Sequence, residues 1–359
     1  MIDEFEIGLE DGPGAPARAT VYTGLRGVGK TVMLNEVADA ALEQGWITIP
    51  ETLTPGFLDR LINEHLPTRL QKLDGTAKRR MTGVTAPLSL GGLTWETVET
   101  HPAGVGLRTQ IEQLAGLVQG GILFTLDEIH KARTPDLVIF CAEIQHAFRE
   151  ELPVAFVGAG LPKAVDEALT SADSPLTFLR RADRHLLGSV DLEDVKTALQ
   201  GPIEQGGRRI SEEALQLAAE ATKARNDDGG GGYPFLIQLV GYHAWNQHRE
   251  VEEITVADVR RGISIARRKL GSLVLGPAVD DLSPVDKTFM LAMAQDDGPS
   301  KMRDLMERMQ VDKNYASQYQ GRLLKAGVIV KAGSGVVDFA LPGMREYLRD
   351  HAASIANLS

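Results

Sequence analysis

The chain has 359 residues, 43% of them hydrophobic and 24% charged. This composition excludes disordered and fibrous classes and suits a folded protein of two or three domains. The net charge of -11 argues against a surface that clings to nucleic acid throughout, but leaves room for one basic module. A single cysteine, Cys141, allows neither an internal disulfide nor a multi-cysteine metal site, and its apolar surroundings predict a buried small side chain. The acidic stretch Met1 to Glu10 has no basic leader region, and no apolar run reaches membrane-spanning length, so a cytoplasmic protein is expected.

An apolar run from Arg18 to Thr23 feeds into Gly24-Leu25-Arg26-Gly27-Val28-Gly29-Lys30-Thr31 and then into helix-like Val32 to Ala41. Strand, glycine-rich loop and helix in this order form the context of a phosphate-binding loop. Glycines let successive amides turn inward, so Gly24, Gly27, Val28, Gly29, Lys30, Thr31 and Val32 are expected to cradle a nucleotide's phosphates at a helix N-terminus. Lys30 supplies positive charge to them and the Thr31 hydroxyl is a candidate Mg²⁺ ligand.

Trp46 to Pro50 reads as a second strand, and Gly56 to Leu73 as an amphipathic helix kinked at Pro67. Thr76 to Pro102 loses helical period and carries Lys78-Arg79-Arg80. It is expected to be an exposed insertion, either a plain surface loop or a contact for a partner or nucleic acid. After a helix from Leu107 to Val118 comes Ile122-Leu123-Phe124-Thr125-Leu126-Asp127-Glu128, a buried strand with carboxylates at its C-terminal tip. Combined with the loop, Asp127 is expected to hold Mg²⁺ through water and Glu128 to polarise the attacking water. His130 and Lys131 read as helix-start surface residues.

A helix from Thr134 to Glu151, a strand from Pro153 to Gly160, a short helix from Pro162 to Leu169 and a last strand within His185 to Val190 complete a β-α alternation. This predicts an α/β fold, a three-layer parallel-sheet P-loop domain over residues 1–190. From Asp191 the strands are expected to stop. Asp191, Ser211 and Thr255 are placed to cap helices, and Pro234 opens another, giving a helical lid over 191–281. The basic face of Arg260, Arg261, Arg267, Arg268 and Lys269 suits a solvated helix better than a nucleic-acid contact.

Residues 282–359 read as three helices, Val285 to Ala294, Ser300 to Met309 and Lys313 to Ala326, and a hairpin around Ala332-Gly333-Ser334-Gly335, the order of a winged helix. Leu282 to His351 holds 10 Lys/Arg against 9 Asp/Glu, leaving -12 for residues 1–281, so this region is electrostatically distinct. Its third helix carries Lys313, Asn314, Ser317, Gln318, Gln320, Arg322 and Lys325, types that read base edges and phosphates. Duplex DNA through 313–335 is therefore one candidate partner and protein the other. Tyr315, Tyr319 and Leu323 are expected on the core side.

Taken together, the two phosphate-site motifs and the domain order resemble the AAA+ and signal-transduction ATPases of the archaeal-ATPase type, the initiator-like group, over nearly the whole chain. The resemblance implies ATP and ADP as ligands, Mg²⁺ as cofactor, and hydrolysis coupled to repositioning of the winged helix, in a homo-oligomer or on a protein partner. The alternative is a nucleotide-gated signalling switch with little turnover. It also implies a base contact at Pro234 within Gly232-Tyr233-Pro234, and an arginine finger at Arg180 or Arg181, acting in cis or on a neighbouring subunit. One departure stands out: the polar sensor usual near the tip of the strand after Asp-Glu is replaced by Val157-Gly158-Ala159-Gly160, which offers only backbone.

Overall fold

The computed structural model describes residues 1–74, 106–129, 135–170, 179–224 and 230–356. The insertion expected at 76–102, His130 and Lys131 lie outside the described residues. The chain forms two compact units. The first comprises Met1–Tyr22, Thr31–Gly160 and Glu167–His185, and the second Thr23–Lys30, Leu161–Asp166 and Leu186–Ser359.

The first part of the chain runs α1 (Ile2–Glu10), a 3₁₀ turn (Pro16–Arg18), β1 (Ala19–Gly24), α2 (Lys30–Glu43) and β2 (Ile47–Thr52). It continues through α3 (Phe57–Arg60), a π-helical turn (Leu61–His65), α4 (Leu66–Asp74), α5 (Leu107–Ala115), β3 (Ile122–Asp127), α6 (Pro135–Arg149), β4 (Val154–Gly160), α7 (Pro162–Thr170) and β5 (Asp183–Leu187). The helix expected from Gly56 to Leu73 is therefore broken by a π turn just before Pro67, a ring that cannot donate a backbone hydrogen bond.

The strands form one five-stranded sheet in the order β2-β3-β4-β1-β5. Strands β2 and β3 pair in parallel from Ile47↔Ile122 to Thr52↔Asp127, and β3 pairs with β4 from Ile122↔Val154 to Leu126↔Gly158. Every residue of β4 is buried, as are Ile122–Leu126 of β3, which explains their continuous apolar runs. Phe140 of α6 packs against Phe57, Phe124 and Phe156, with ring centroids 5.9, 5.7 and 6.0 Å away. This aromatic cluster fixes β3, and so the position of the acidic pair at its end.

The later elements are α8 (Leu192–Gln205), β6 (Arg209–Ile210), α9 (Glu212–Ala221), α10 (Pro234–Trp245), β7 (Glu253–Ile254), α11 (Val256–Leu270), a π turn (Gly271–Leu275) and α12 (Gly276–Asp280). Then follow α13 (Pro284–Ala294), β8 (Ser300–Lys301), α14 (Met302–Met309), α15 (Lys313–Lys325), β9 (Ile329–Gly333), β10 (Val336–Phe339), α16 (Met344–Asp350) and α17 (Ala352–Ala356). The strands do not stop at Asp191: β6 and β7 make a short parallel pair inside the helical region. Ser300–Lys301, expected as helix, is a strand, because its backbone pairs with β10 in a three-stranded antiparallel sheet ordered β8-β10-β9.

Side-chain caps set the helix starts. Asp191 accepts from the Glu193 N–H at 2.9 Å and Ser211 from that of Ala214 at 3.3 Å. Thr255 and Asp258 cap α11 reciprocally, and buried Asp258 also meets His248 at 2.6 Å and Arg261 at 3.2 Å. Burial opposes ionisation of Asp258, but hydrogen bonds from Thr255, His248 and Arg261 outweigh it and hold its carboxyl below the usual carboxylate range. One continuous apolar cluster, including Leu199, Val240, Val259, Phe289, Leu323 and Met344, fills the second unit from α8 to α16. Cys141 is buried at 2% exposure, and burial pushes its thiol pKa up, as an inert core side chain requires. Among the described residues, no helix is long and apolar enough to cross a membrane.

Candidate functional site

In the first unit, Thr31 and Asp127 meet. Lys30 opens α2, so Thr31 lies in that helix's first turn, and Asp127 ends β3. The Thr31 hydroxyl donates to Asp127 Oδ2 at 2.8 Å, in an exposed position. The other carboxylate oxygen accepts from the Glu128 backbone N–H at 2.7 Å. Both Asp127 oxygens are thereby oriented. Two hard oxygen donors side by side are the donor set that Mg²⁺ takes from a protein, so the residues fit the ion. Glu128 follows with φ 60°, a left-handed conformation uncommon for a non-glycine residue, which swings the chain out of the strand at that point.

In the second unit, the loop Thr23–Lys30 is held against the start of α10. Gly27 has φ 75° and Gly29 φ 94°, the conformations for which glycine was expected. The Tyr233 hydroxyl donates to the Arg26 carbonyl at 2.7 Å, and the Phe235 N–H to the Gly27 carbonyl at 3.1 Å. Tyr233 is buried, and burial pushes its phenol pKa up, so it stays a protonated donor. A Cβ placed on Gly27 would overlap the Tyr233 hydroxyl. Val28 packs against the apolar cluster of this unit. Lys30, buried at 8% exposure, donates to the carbonyls of Gly24 at 3.0 Å and Leu25 at 2.8 Å. Arg26 forms an exposed ion pair with Asp281 at 3.3 Å, just before α13.

Pro234 occupies the first turn of α10, half-buried, directly after Tyr233. The part played by Tyr233 and the Phe235 amide was not readable from sequence: a tyrosine before a helix-opening proline has no capping signature, and its partner lies 207 residues away.

The two candidate arginines lie elsewhere. Arg180 donates through Nε to the Leu169 carbonyl at 2.7 Å, closing the end of α7. Arg181 lines a cavity with Arg18, Ala19, Phe148 and Val154. Val154 pairs with Ile122 at the opposite end of β3 from Asp127, about 17 Å along the strand. The first unit thus brings Thr31, Asp127 and Glu128 together and puts Arg181 by the opposite ends of the strands.

In the C-terminal region, Lys313, Asn314, Ser317 and Gln318 are exposed on α15, as are Lys331–Gly335 around the β9–β10 turn. Arg322 instead pairs with buried Asp286 at 2.6 Å and donates to the Ser283 hydroxyl at 3.0 Å. Tyr315, expected on the core side, is 37% exposed and packs its ring against that of Tyr319 at a tilt of 43°, whereas Leu323 is fully buried.

Residues 272–348 match a family described as a domain of unknown function (DUF8462). No curated protein matches the chain. Among solved structures, the ORC2 protein of Aeropyrum pernix in its ADPNP-ADP complexes is similar at a TM-score of 0.64 and 15% identity, over 99% of this chain and 92% of that one. The ADP form of the same protein gives 0.51 at 15% identity, with the same coverage. A Holliday junction branch migration motor, RuvB of Thermotoga maritima, gives 0.47 at 15% identity, over 97% of this chain and 93% of that one. The chain therefore shares the fold of the Aeropyrum pernix ORC2 protein over nearly its whole length.

Proposed function

We propose that the protein is a Mg²⁺-dependent ATPase whose nucleotide state repositions a C-terminal winged helix, in three parts: a P-loop core (1–190), a helical lid (191–281) and the winged helix (282–359). The observation that carries this reading is the Thr31–Asp127 hydrogen bond, which joins the two sequence motifs at their predicted metal ligands. Thr31 and Asp127 would hold the ion, whose charge offsets that of the β- and γ-phosphates. The amides of 24–32 and Lys30 bind phosphate oxygens. Lys30 must then exchange its hold on the Gly24 and Leu25 carbonyls for them. Glu128 orients the attacking water and accepts its proton.

The link from phosphate to lid is local. Any shift of the loop on binding phosphate acts on the Tyr233 hydroxyl and the Phe235 amide at the start of α10, and through Arg26 on Asp281. Pro234 lies beside these contacts, in keeping with a role against the base. The placement of Arg181 favours a finger offered to a neighbouring copy over one acting within its own chain, which implies a homo-oligomer. DNA contact through 313–335 is supported by the exposed Lys313, Asn314, Gln318 and Lys331. Arg322 is better assigned to holding α15 on α13.

The second reading, a nucleotide-gated switch with slow turnover whose winged helix meets protein, draws on one observation: all of β4 is buried, and its tip presents no polar side chain. One experiment separates the two. ATP turnover is measured across a protein concentration series, with and without duplex DNA, and repeated with Lys313→Ala/Lys331→Ala. Turnover that rises with concentration and with DNA, and loses its DNA response in the variant, supports the ATPase. Bound ATP that survives equally long in wild type and Glu128→Gln under every condition supports the switch.

A further inference from the structure

The first unit carries a second group of metal-ligating side chains, distinct from Thr31 and Asp127. Asp183 and His185 stand two apart on β5, so both project from one face of the strand, while Arg184 and Leu186 between and beyond them are exposed. Glu4, in the first turn of α1, reaches the same place. One ligand atom from each of Glu4, Asp183 and His185 lies within 4.8 Å of the others. His185 Nε2 already sits 3.1 Å from Asp183 Oδ2.

An independent observation comes from the residue behind the imidazole. Tyr22 stacks on His185 with ring centroids 5.4 Å apart and planes at 27°. It is fully buried, yet its hydroxyl has no hydrogen-bond partner among the described residues. A buried hydroxyl is rarely left unpaired, because the missing bond is costly. A ligand bound between the carboxylates and the imidazole, carrying its own water, would supply the acceptor.

We propose that Glu4, Asp183 and His185 bind a divalent transition-metal ion, with the Tyr22 hydroxyl donating to a water on that ion. One imidazole nitrogen with two carboxylate oxygens suits Zn²⁺, Mn²⁺ or Co²⁺, whereas Mg²⁺ and Ca²⁺ prefer oxygen alone. Three protein ligands leave open positions for water. Glu4 also meets the Met1 amino group at 3.5 Å, but both partners are exposed, and such a pair yields readily to a metal. Binding would clamp α1 to β5, the edge strand of the sheet.

The test uses the full chain, stripped with chelator and kept free of nucleotide and Mg²⁺, in an Asp127→Asn background so that the other carboxylate site does not contribute. Co²⁺ is followed by its visible absorption and Zn²⁺ by calorimetry and thermal melting. The expected result is one saturable equivalent of metal per chain and a higher melting temperature with Zn²⁺. Glu4→Gln and His185→Gln should each weaken binding by about tenfold or more. Glu4 is exposed on its helix, so Glu4→Gln leaves the fold intact and reports on metal even if His185→Gln misfolds. Absence of saturable Co²⁺ binding, or unchanged affinity in Glu4→Gln, overturns the proposal.

Discussion

The hydroxyl of Tyr233 and the backbone carbonyl of Arg26 are joined by a 2.7 Å hydrogen bond, so the glycine-rich loop and the start of α10 share an atom-level contact. Tyr233→Phe keeps the buried ring and removes only the donor, at a cost of about 0.5–1.5 kcal/mol in chemical denaturation. Its larger effect should be on coupling: ADP or ATP should change the protease sensitivity of α10 in wild type and much less in the variant. Gly27→Ala is the harsher change, because it adds a Cβ where Tyr233 sits and at a positive φ, and it should weaken nucleotide binding as well as coupling.

Glu128→Gln should retain ATP while turnover falls by roughly 10²–10⁴-fold, the usual contribution of a positioned general base. Asp127→Asn should instead weaken the Mg²⁺ dependence of nucleotide binding, since Asp127 is the partner of Thr31. Steady-state hydrolysis and nucleotide binding with and without Mg²⁺ distinguish the two.

Acid should act on α11 through Asp258. Its carboxyl ionises at lower pH in the folded than in the unfolded chain, whose value is 3.8. The stabilisation is therefore fully present well above pH 3.8 and is lost as pH falls through the lower folded value. Asp258→Ala removes the N3 partner of the capping box and the acceptor for His248 and Arg261, and should cost about 1–3 kcal/mol at neutral pH. Denaturant titrations at pH 7 and pH 3.5 should show the gap between wild type and variant narrowing in acid.

Phe140→Ala should cost about 3–5 kcal/mol in urea unfolding, because Phe57, Phe124 and Phe156 all lose a ring contact and α6 cannot collapse onto β3. If the chain survives, nucleotide affinity should fall too, since β3 carries Asp127.

Much of this architecture is legible in the residues themselves. The run Ile122 to Leu126 is unbroken because both faces of β3 are covered, and Asp127 ends it where the strand emerges. Gly27 and Gly29 are glycines because their φ values are positive. Asp191, Ser211 and Thr255 announce their helices through short polar side chains that accept from backbone two or three residues ahead. Long-range pairing is what stays hidden. Arg322 looks like a phosphate reader until Asp286, 36 residues earlier, is seen beneath it, and Ser300–Lys301 looks helical until β10 supplies its partner. The partner of Tyr233 lies further off still, 207 residues away, and no local period or spacing encodes it.

Under the proposed function, the left-handed turn at Glu128 sets folding against chemistry at a single position. Any side chain there except glycine carries a conformational penalty on the order of 1–2 kcal/mol. Glu128→Gly should therefore melt at a higher temperature than wild type while hydrolysing ATP far more slowly. A screen that rewards only thermal robustness would drift toward a sturdier protein that holds its nucleotide and does nothing with it.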